Sequence, residues 1–284
     1  MNRLLTALVA LPVLIASIVL PYFFPRTPEL NFIFVTIAAV AIVLGLYEFF
    51  TFTKTLKLKA DAGAAYLGAA ALFVAFFFDA PAKFPDFLLI TLAGFVAAVI
   101  ASQAFRFQNA PDFSKMLPAI GVTILGVLYV AFLGGYLVAM RVGFETYPGL
   151  STKLLIFFFL ISFAGDAAAL YTGKALGKHK LAPKISPGKT WEGCVGGFVV
   201  SLGLAAAASF TFFPELKWFA ALPLAAAMNV LGVIGDLAES AMKRGAGAKD
   251  AANILPGHGG LLDRMDSLLF NAPLLYYFAR FYFQ

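Results

Sequence analysis

The sequence predicts an all-α, polytopic integral membrane protein with about nine transmembrane helices. Three observations predict it. Of the 284 residues, 61% are hydrophobic and only 13% charged, with a mean hydropathy of +0.88, whereas a soluble domain carries about 25% charged residues. The apolar residues, 32 Phe among them, fall in blocks of roughly 17 to 25, matching the ~20 that a helix rising ~1.5 Å per residue needs to cross a ~30 Å hydrocarbon core. The alternating segments of ~10 residues that mark a membrane barrel are missing. Helices are then the economical way to satisfy every backbone group in lipid.

Taken in order, the first span covers roughly 4–23 and follows Arg3. No small-x-small cleavage site follows it, so it reads as a retained helix rather than a signal peptide. Further spans are expected at roughly 30–50, 62–78, 86–103, 117–140, 152–171, 192–213, 217–237 and 266–283. Pro12, Pro118, Pro223 and Pro273 lie within spans, where neighbouring helices can satisfy the freed carbonyls.

Alternating these spans from a cytosolic N-terminus puts 15 of the 21 basic residues inside, namely Arg3, Lys54, Lys57, Lys59, Arg106, Lys115, Lys174, Lys178, Lys180, Lys184, Lys189, Lys243, Arg244, Lys249 and Arg264. The positive-inside rule therefore favours N-in, C-out. The net charge of +6 sits in short loops and points to anionic lipid rather than nucleic acid. The two longest polar loops, about 172–191 and 238–265, fall on the cytosolic side together.

No linker or repeat divides the chain, so 1–284 is read as one membrane domain. Residues 1–150 form a lipid-facing scaffold and 151–284 carry the functional site. The lone Cys194 excludes an intramolecular disulfide and a Cys-rich metal site, and reads as a small core residue.

The chemistry concentrates after residue 160. Asp166 closes an apolar run, and a charge at the bilayer centre costs at least ~2.5 kcal/mol. It therefore needs a partner or a wet cavity, unless it lies at the interface beside Lys174. Asp236, Glu239 and Ser240 stand at i, i+3 and i+4, so all three project from one helical face. Asp263 and Asp266, also i and i+3, open the last span. Each acidic pair alone admits a plainer reading, a helix N-cap or a salt bridge to Arg264.

Carboxylates with only His179 and His258 nearby are hard oxygen donors suited to Mg2+ rather than zinc. Mg2+ is usually held by one or two carboxylates together with substrate phosphates. Lys243, Arg244 and Lys249 in one loop, and Lys184 and Lys189 in the other, supply cations for such phosphates, although basic loops also serve as topology signals. His258 reads equally as a base or as a group that orients a carboxylate or caps the loop. The glycines around them match neither the dinucleotide fingerprint nor the Walker motif.

Residues 240–266, SAMKRGAGAKDAANILPGHGGLLDRMD, resemble the signature of the bacterial phosphatidate cytidylyltransferases in order and spacing. GDLAES before it and GKHKLAPKISPGKTWEG at 177–193 are similar to the same family. The segment after Asp166 departs from the family pattern, reading DAAALYTGK where the family has Gly-Ala-Tyr and then Gly-Arg.

The resemblance implies transfer of the CMP moiety of CTP to phosphatidic acid, giving CDP-diacylglycerol and pyrophosphate at the cytosolic face of the inner membrane. It implies a metal centre of Asp236, Glu239, Asp263 and Asp266 holding Mg2+, with room for a second metal or a monovalent cation. Lys243, Arg244, Lys249, Asp250, His258 and Arg264 are then expected in the catalytic apparatus, and Asp166, Ser186, Lys189 and Ser240 against substrate. CTP, phosphatidic acid and the bilayer are the expected partners, and a homodimer is an allowed assembly. A CTP-dependent polyprenol or phytol kinase is the nearest rival, and a transporter a remote one.

Overall fold

A computed structural model describes residues 2–58, 60–79, 87–109, 112–144, 149–248 and 260–283. Among them the chain forms nine helical rods and one short hairpin. The helices are α1 (Asn2–Phe23), α2 (Asn31–Thr53), α3 (Ala62–Asp79), α4 (Phe87–Phe107), α5 (Met116–Val142), α6 (Leu150–Leu176), α7 (Trp191–Phe210), α8 (Trp218–Gly245) and α9 (Leu262–Phe283). Each expected span falls on one of them.

Six of the described helices are long and apolar enough to cross a membrane: α2, α4, α5, α6, α7 and α8. Helix α3 has a shorter apolar stretch, Ala62–Phe78, as does the last part of α1, Ala10–Phe23. Helix α9 begins with Asp263, Arg264 and Asp266. The chain is an all-α membrane protein. Many large apolar side chains are exposed, including Leu67, Phe105, Leu117, Phe210 and Phe281. That surface suits lipid and would be a liability in water.

Helices α8 and α9 run unbroken through Pro223 and Pro273. Helix α5 passes through a π-helical segment, Val127–Phe132, at mid-length. Several ends extend past the expected limits, and the extensions matter for the site. Helix α6 continues to Leu176 and α8 to Gly245, while α9 starts four residues early at Leu262.

Close packing joins the C-terminal helices. A side chain at Gly197 would stand 2.8 Å from the carbonyl of Gly165, and one at Gly193 2.7 Å from that of Ala169. Small residues four apart therefore let α6 and α7 touch backbone to backbone, the usual device where lipid removes the hydrophobic driving force. Gly235 does the same for α8, 2.5 Å from the Asp266 carbonyl by the same measure. One apolar cluster, with Phe157, Phe158, Met228 and Leu275, fills the middle of this bundle. A second, with Leu46, Phe49, Val130 and Leu262, joins α2, α3 and α5 to the start of α9.

The segment expected as a loop at 172–191 contains an antiparallel hairpin, β1 (Lys180–Ala182) and β2 (Ser186–Thr190). Its base is closed by His179 Nδ1, 2.6 Å from Glu192 Oε1, and by Trp191 N–H donating to the His179 carbonyl at 3.0 Å. Thr190 then caps α7, its Oγ1 accepting from Gly193 N at 3.1 Å. The hairpin is thereby fixed against the ends of α6 and α7.

Candidate functional site

Helices α6, α8 and α9 and strand β2 bring ten of the thirteen residues at 186 or beyond, together with Asp166, to one end of the bundle. Lys249, Asp250 and His258 lie outside the described residues. Eight of the rest form three groups, and Ser186, Arg244 and Arg264 lie beside them.

In the first group, Lys189 on β2 reaches across to α8, its Nζ 2.7 Å from Asp236 Oδ2. One turn on, Ser240 Oγ donates to Asp236 Oδ1 at 3.4 Å. The i, i+4 spacing read from the sequence produces that contact directly.

In the second, Lys243 Nζ sits between two carboxylates, 2.6 Å from Glu239 Oε2 and in direct contact with Asp263. Glu239 and Lys243 are both buried, and Glu239 Oε1 has no hydrogen-bond partner. Asp263 also accepts from Gly260 N–H at 3.0 Å, so the plainer N-capping reading is realised beside the charge pairing. Asp263 takes Lys243 as its ion-pair partner across 20 residues of chain.

In the third, Ser267 joins two acids. Its hydroxyl donates to Asp166 Oδ2 at 2.9 Å and its backbone N–H to Asp266 Oδ1 at 2.7 Å. Asp266 is buried, whereas Asp166 is exposed on its other side. Hydrocarbon disfavours a carboxylate, so the exposed side of Asp166 calls for water or a cation against it. Asp166, Asp236 and Asp266 lie within electrostatic reach of one another, and Lys189 is the cation facing all three.

Arg244 leans onto the hairpin, its Nε donating to the Ile185 carbonyl at 3.4 Å. Ser186 is half-buried on β2, and Arg264 is exposed one residue beyond Asp263.

Sequence reasoning missed four residues here. Ser267 carries no distinctive signal. Glu48 does, as a lone acid inside the apolar run of α2, and it is fully buried with both oxygens engaged. Thr55 donates to the Ala246 carbonyl at 2.5 Å, just past the end of α8. Tyr129, in the π-helical segment, is buried with an unpartnered hydroxyl within electrostatic reach of Asp236, Glu239, Asp263 and Asp266.

Among the described residues, no three His, Cys, Asp or Glu side chains are already grouped around a common point as metal ligands. The chemistry of the donor set nevertheless fits a hard cation. Oxygen donors dominate, Glu239 keeps a free acceptor, and among the described residues Asp166, Asp236 and Asp266 gather around Lys189. A divalent ion would offset that surplus of negative charge.

Basic groups interleaved with carboxylates in this way are chemically suited to phosphates and a hard cation. Residues 1–282 match the family model described as "Cytidylyltransferase family". The chain belongs to the cytidylyltransferase family. Within it, the chain is 33% identical over 212 residues to the phosphatidate cytidylyltransferase of Bacillus subtilis, covering 66% of this chain and 79% of that protein. It is 42% identical to the Haemophilus influenzae phosphatidate cytidylyltransferase over 143 residues, about half of each chain. With the Brucella suis enzyme of the same name it shares 43% identity over 155 residues, 54% of this chain and 55% of that one.

Proposed function

We propose that this cytidylyltransferase joins CTP to phosphatidic acid, forming CDP-diacylglycerol and releasing pyrophosphate. The observation that carries the reading is the meeting of Asp166, Asp236 and Asp266 with Lys189 beside the Glu239–Lys243–Asp263 cluster, at one end of membrane helices. A water-soluble nucleotide and a lipid phosphate can meet only at such an end.

A phosphate monoester has a second pKa near ~6, so phosphatidate is a dianionic nucleophile at neutral pH and needs no strong base. One of its oxygens forms a bond to the α-phosphorus of CTP, and the bond from that phosphorus to the β-bridging oxygen breaks. The difficulty is bringing two anions together, so electrostatic stabilisation dominates. Lys189 and Lys243 are poised on carboxylates that they can share with phosphate oxygens. Arg244, tied to the hairpin, and Arg264 add positive charge at the same end. Ser186, Ser240 and the segment with Lys249, Asp250 and His258 complete the nucleotide side in this reading.

Asp236 and Asp266 are the leading residues to hold Mg2+, with Lys189 giving up Asp236 to a phosphate, while the more buried Lys243 stays between Glu239 and Asp263. Bound there, Mg2+ would supply charge neutralisation for the phosphates. The same reading gives nine crossings with the site at the cytosolic face of a bacterial inner membrane. The end that holds the site also carries Lys54, Lys57, Lys174, Lys178 and Lys180.

The test is the fate of label. Purified protein given Mg2+, phosphatidate and CTP labelled at the α position should put label into lipid, while γ label leaves as pyrophosphate. Transfer of γ label to a lipid alcohol would identify a CTP-dependent lipid kinase instead.

A further inference from the structure

Helix α2 belongs to the half of the chain read as scaffold, yet it and the turn that follows it touch the site at two points. Glu48 Oε1 accepts from Leu261 N–H at 2.8 Å and Oε2 from Leu262 N–H at 2.6 Å. Two turns further along, Thr55 Oγ1 donates to the Ala246 carbonyl. Helix α2 and the short 3-10 turn after it, Lys54–Leu56, thus hold the residue just past α8 and the start of α9, the two elements whose side chains meet at Lys243 and Asp263.

The Glu48 contact is chemically specific. A helix starts with N–H groups that have no partner within the helix, and its N-terminus carries partial positive charge. Glu48 meets two of those N–H groups with both carboxylate oxygens while wholly shielded from solvent. Asp263 follows Leu262 directly, and Asp263 and Lys243 lie within electrostatic reach of Glu48. The carboxylate is too firmly occupied by backbone to be a substrate ligand. Its effect must pass through the position of α9.

We infer that Glu48 is a positioning residue of the active site, fixing the start of α9 so that Asp263 and Asp266 stand at working distance from the side chains of α8. This rests on the cytidylyltransferase reading for its kinetic consequence, but not for its structural one. In Glu48→Gln an amide NH2 replaces one oxygen and faces an N–H donor, so one of the two bonds becomes a repulsion. In Glu48→Asp both oxygens survive on a stem one methylene shorter.

The experiment uses full-length protein in lipid nanodiscs, with turnover normalised to folded protein. Glu48→Gln should lower kcat at least ten-fold while the KM values for CTP and phosphatidate stay within two-fold. Glu48→Asp should recover a substantial part of the loss. Amide exchange in a peptide spanning residues 261–266 should quicken in Glu48→Gln, a readout that needs no activity. Combined with Asp263→Asn, the Gln variant should cost little beyond Asp263→Asn alone, since both disable one unit.

Normal kcat per folded molecule in Glu48→Gln overturns the inference, as does a loss that merely tracks the folded fraction. Full additivity with Asp263→Asn also overturns it. If wild-type protein makes no CDP-diacylglycerol, the functional reading fails while the exchange result still decides whether Glu48 holds α9. Should the Gln variant fail to accumulate, the Asp variant carries the test through its shorter stem: a modest loss of kcat with quicker exchange at 261–266 supports the proposal, and a change in kcat without one in exchange, or the reverse, counts against it.

Discussion

Lys189 stands 2.7 Å from Asp236, a contact that ties a hairpin outside the helical bundle to the eighth helix within it. Lysine is a compact charge on a flexible stem, so it can leave a carboxylate for a phosphate when one arrives. Lys189→Ala should raise KM for CTP and cut kcat/KM by at least ten-fold, about 1.4 kcal/mol of transition-state stabilisation. Steady-state kinetics on the purified variant check this, and an unchanged KM would remove Lys189 from the nucleotide site.

Asp263→Asn and Asp266→Asn keep side-chain volume while removing charge. Each should retain less than a tenth of wild-type turnover in a folded protein. Asp112→Asn, in an exposed turn bonded only to Ser114 among the contacts described, should be nearly silent. Turnover above a tenth would contradict the metal assignment in the Asp266 variant, and the role of the Lys243 ion pair in the Asp263 variant.

The α6–α7 contact predicts a contrast between two glycines of one helix. Gly197→Ala puts a methyl 2.8 Å from the Gly165 carbonyl, and overpacking of this kind costs roughly 1–3 kcal/mol. Gly203→Ala meets nothing within 4 Å and should be neutral or mildly stabilising. Thermal unfolding in detergent distinguishes them, and equal midpoints would mean that the helices can part without cost.

Two single cysteines test the orientation. In a Cys194→Ala background, Lys180→Cys and Thr211→Cys mark opposite ends of the bundle. An impermeant thiol reagent on intact cells should label position 211 and leave 180 untouched until the membrane is opened. The reverse pattern would put the site on the side away from cytosolic CTP.

At the end opposite the site, Lys153 Nζ lies 2.7 Å from Glu215 Oε1 in the turn between α7 and α8. Burial pushes the Glu215 carboxyl up, but the hydrogen bond and charge of Lys153, with Lys217 nearby, outweigh it and hold the group below its ordinary value of 4.5. A depressed carboxylate stabilises the fold above its unfolded value and loses that contribution as pH falls through the folded one. The gap in melting temperature between wild type and Glu215→Gln should therefore be present at pH 7 and shrink on acidification below about 4.5. A gap independent of pH would show that the ion pair contributes nothing.

Much of the architecture can be read from the sequence because lipid imposes it: length and apolarity alone mark six of the described helices. The stripe of Asp236, Glu239 and Ser240 is equally legible, since helical spacing puts those residues on one face. The partnerships are not. Glu48 and Leu262 are 214 residues apart, and Asp166 and Ser267 are 101 apart, so no local pattern links them. The hairpin escapes for another reason. Strands of three and five residues containing Pro187 and Gly188 are too short for an alternation to register. The helix extensions to Leu176 and Gly245 were hidden by their polarity, which ends a hydropathy signal before it ends a helix.

Helix α9 meets Glu48 of α2, Asp166 of α6 and Lys243 of α8, and it follows all three in the chain. During synthesis the other helices therefore enter the bilayer with those polar side chains lacking their α9 partners. Insertion of α9 brings Asp263, Asp266 and Ser267 to them in a single event. Competence for chemistry should thus appear abruptly late in biogenesis rather than accumulate helix by helix, and a nascent chain halted before residue 262 would be membrane-embedded yet unable to handle nucleotide.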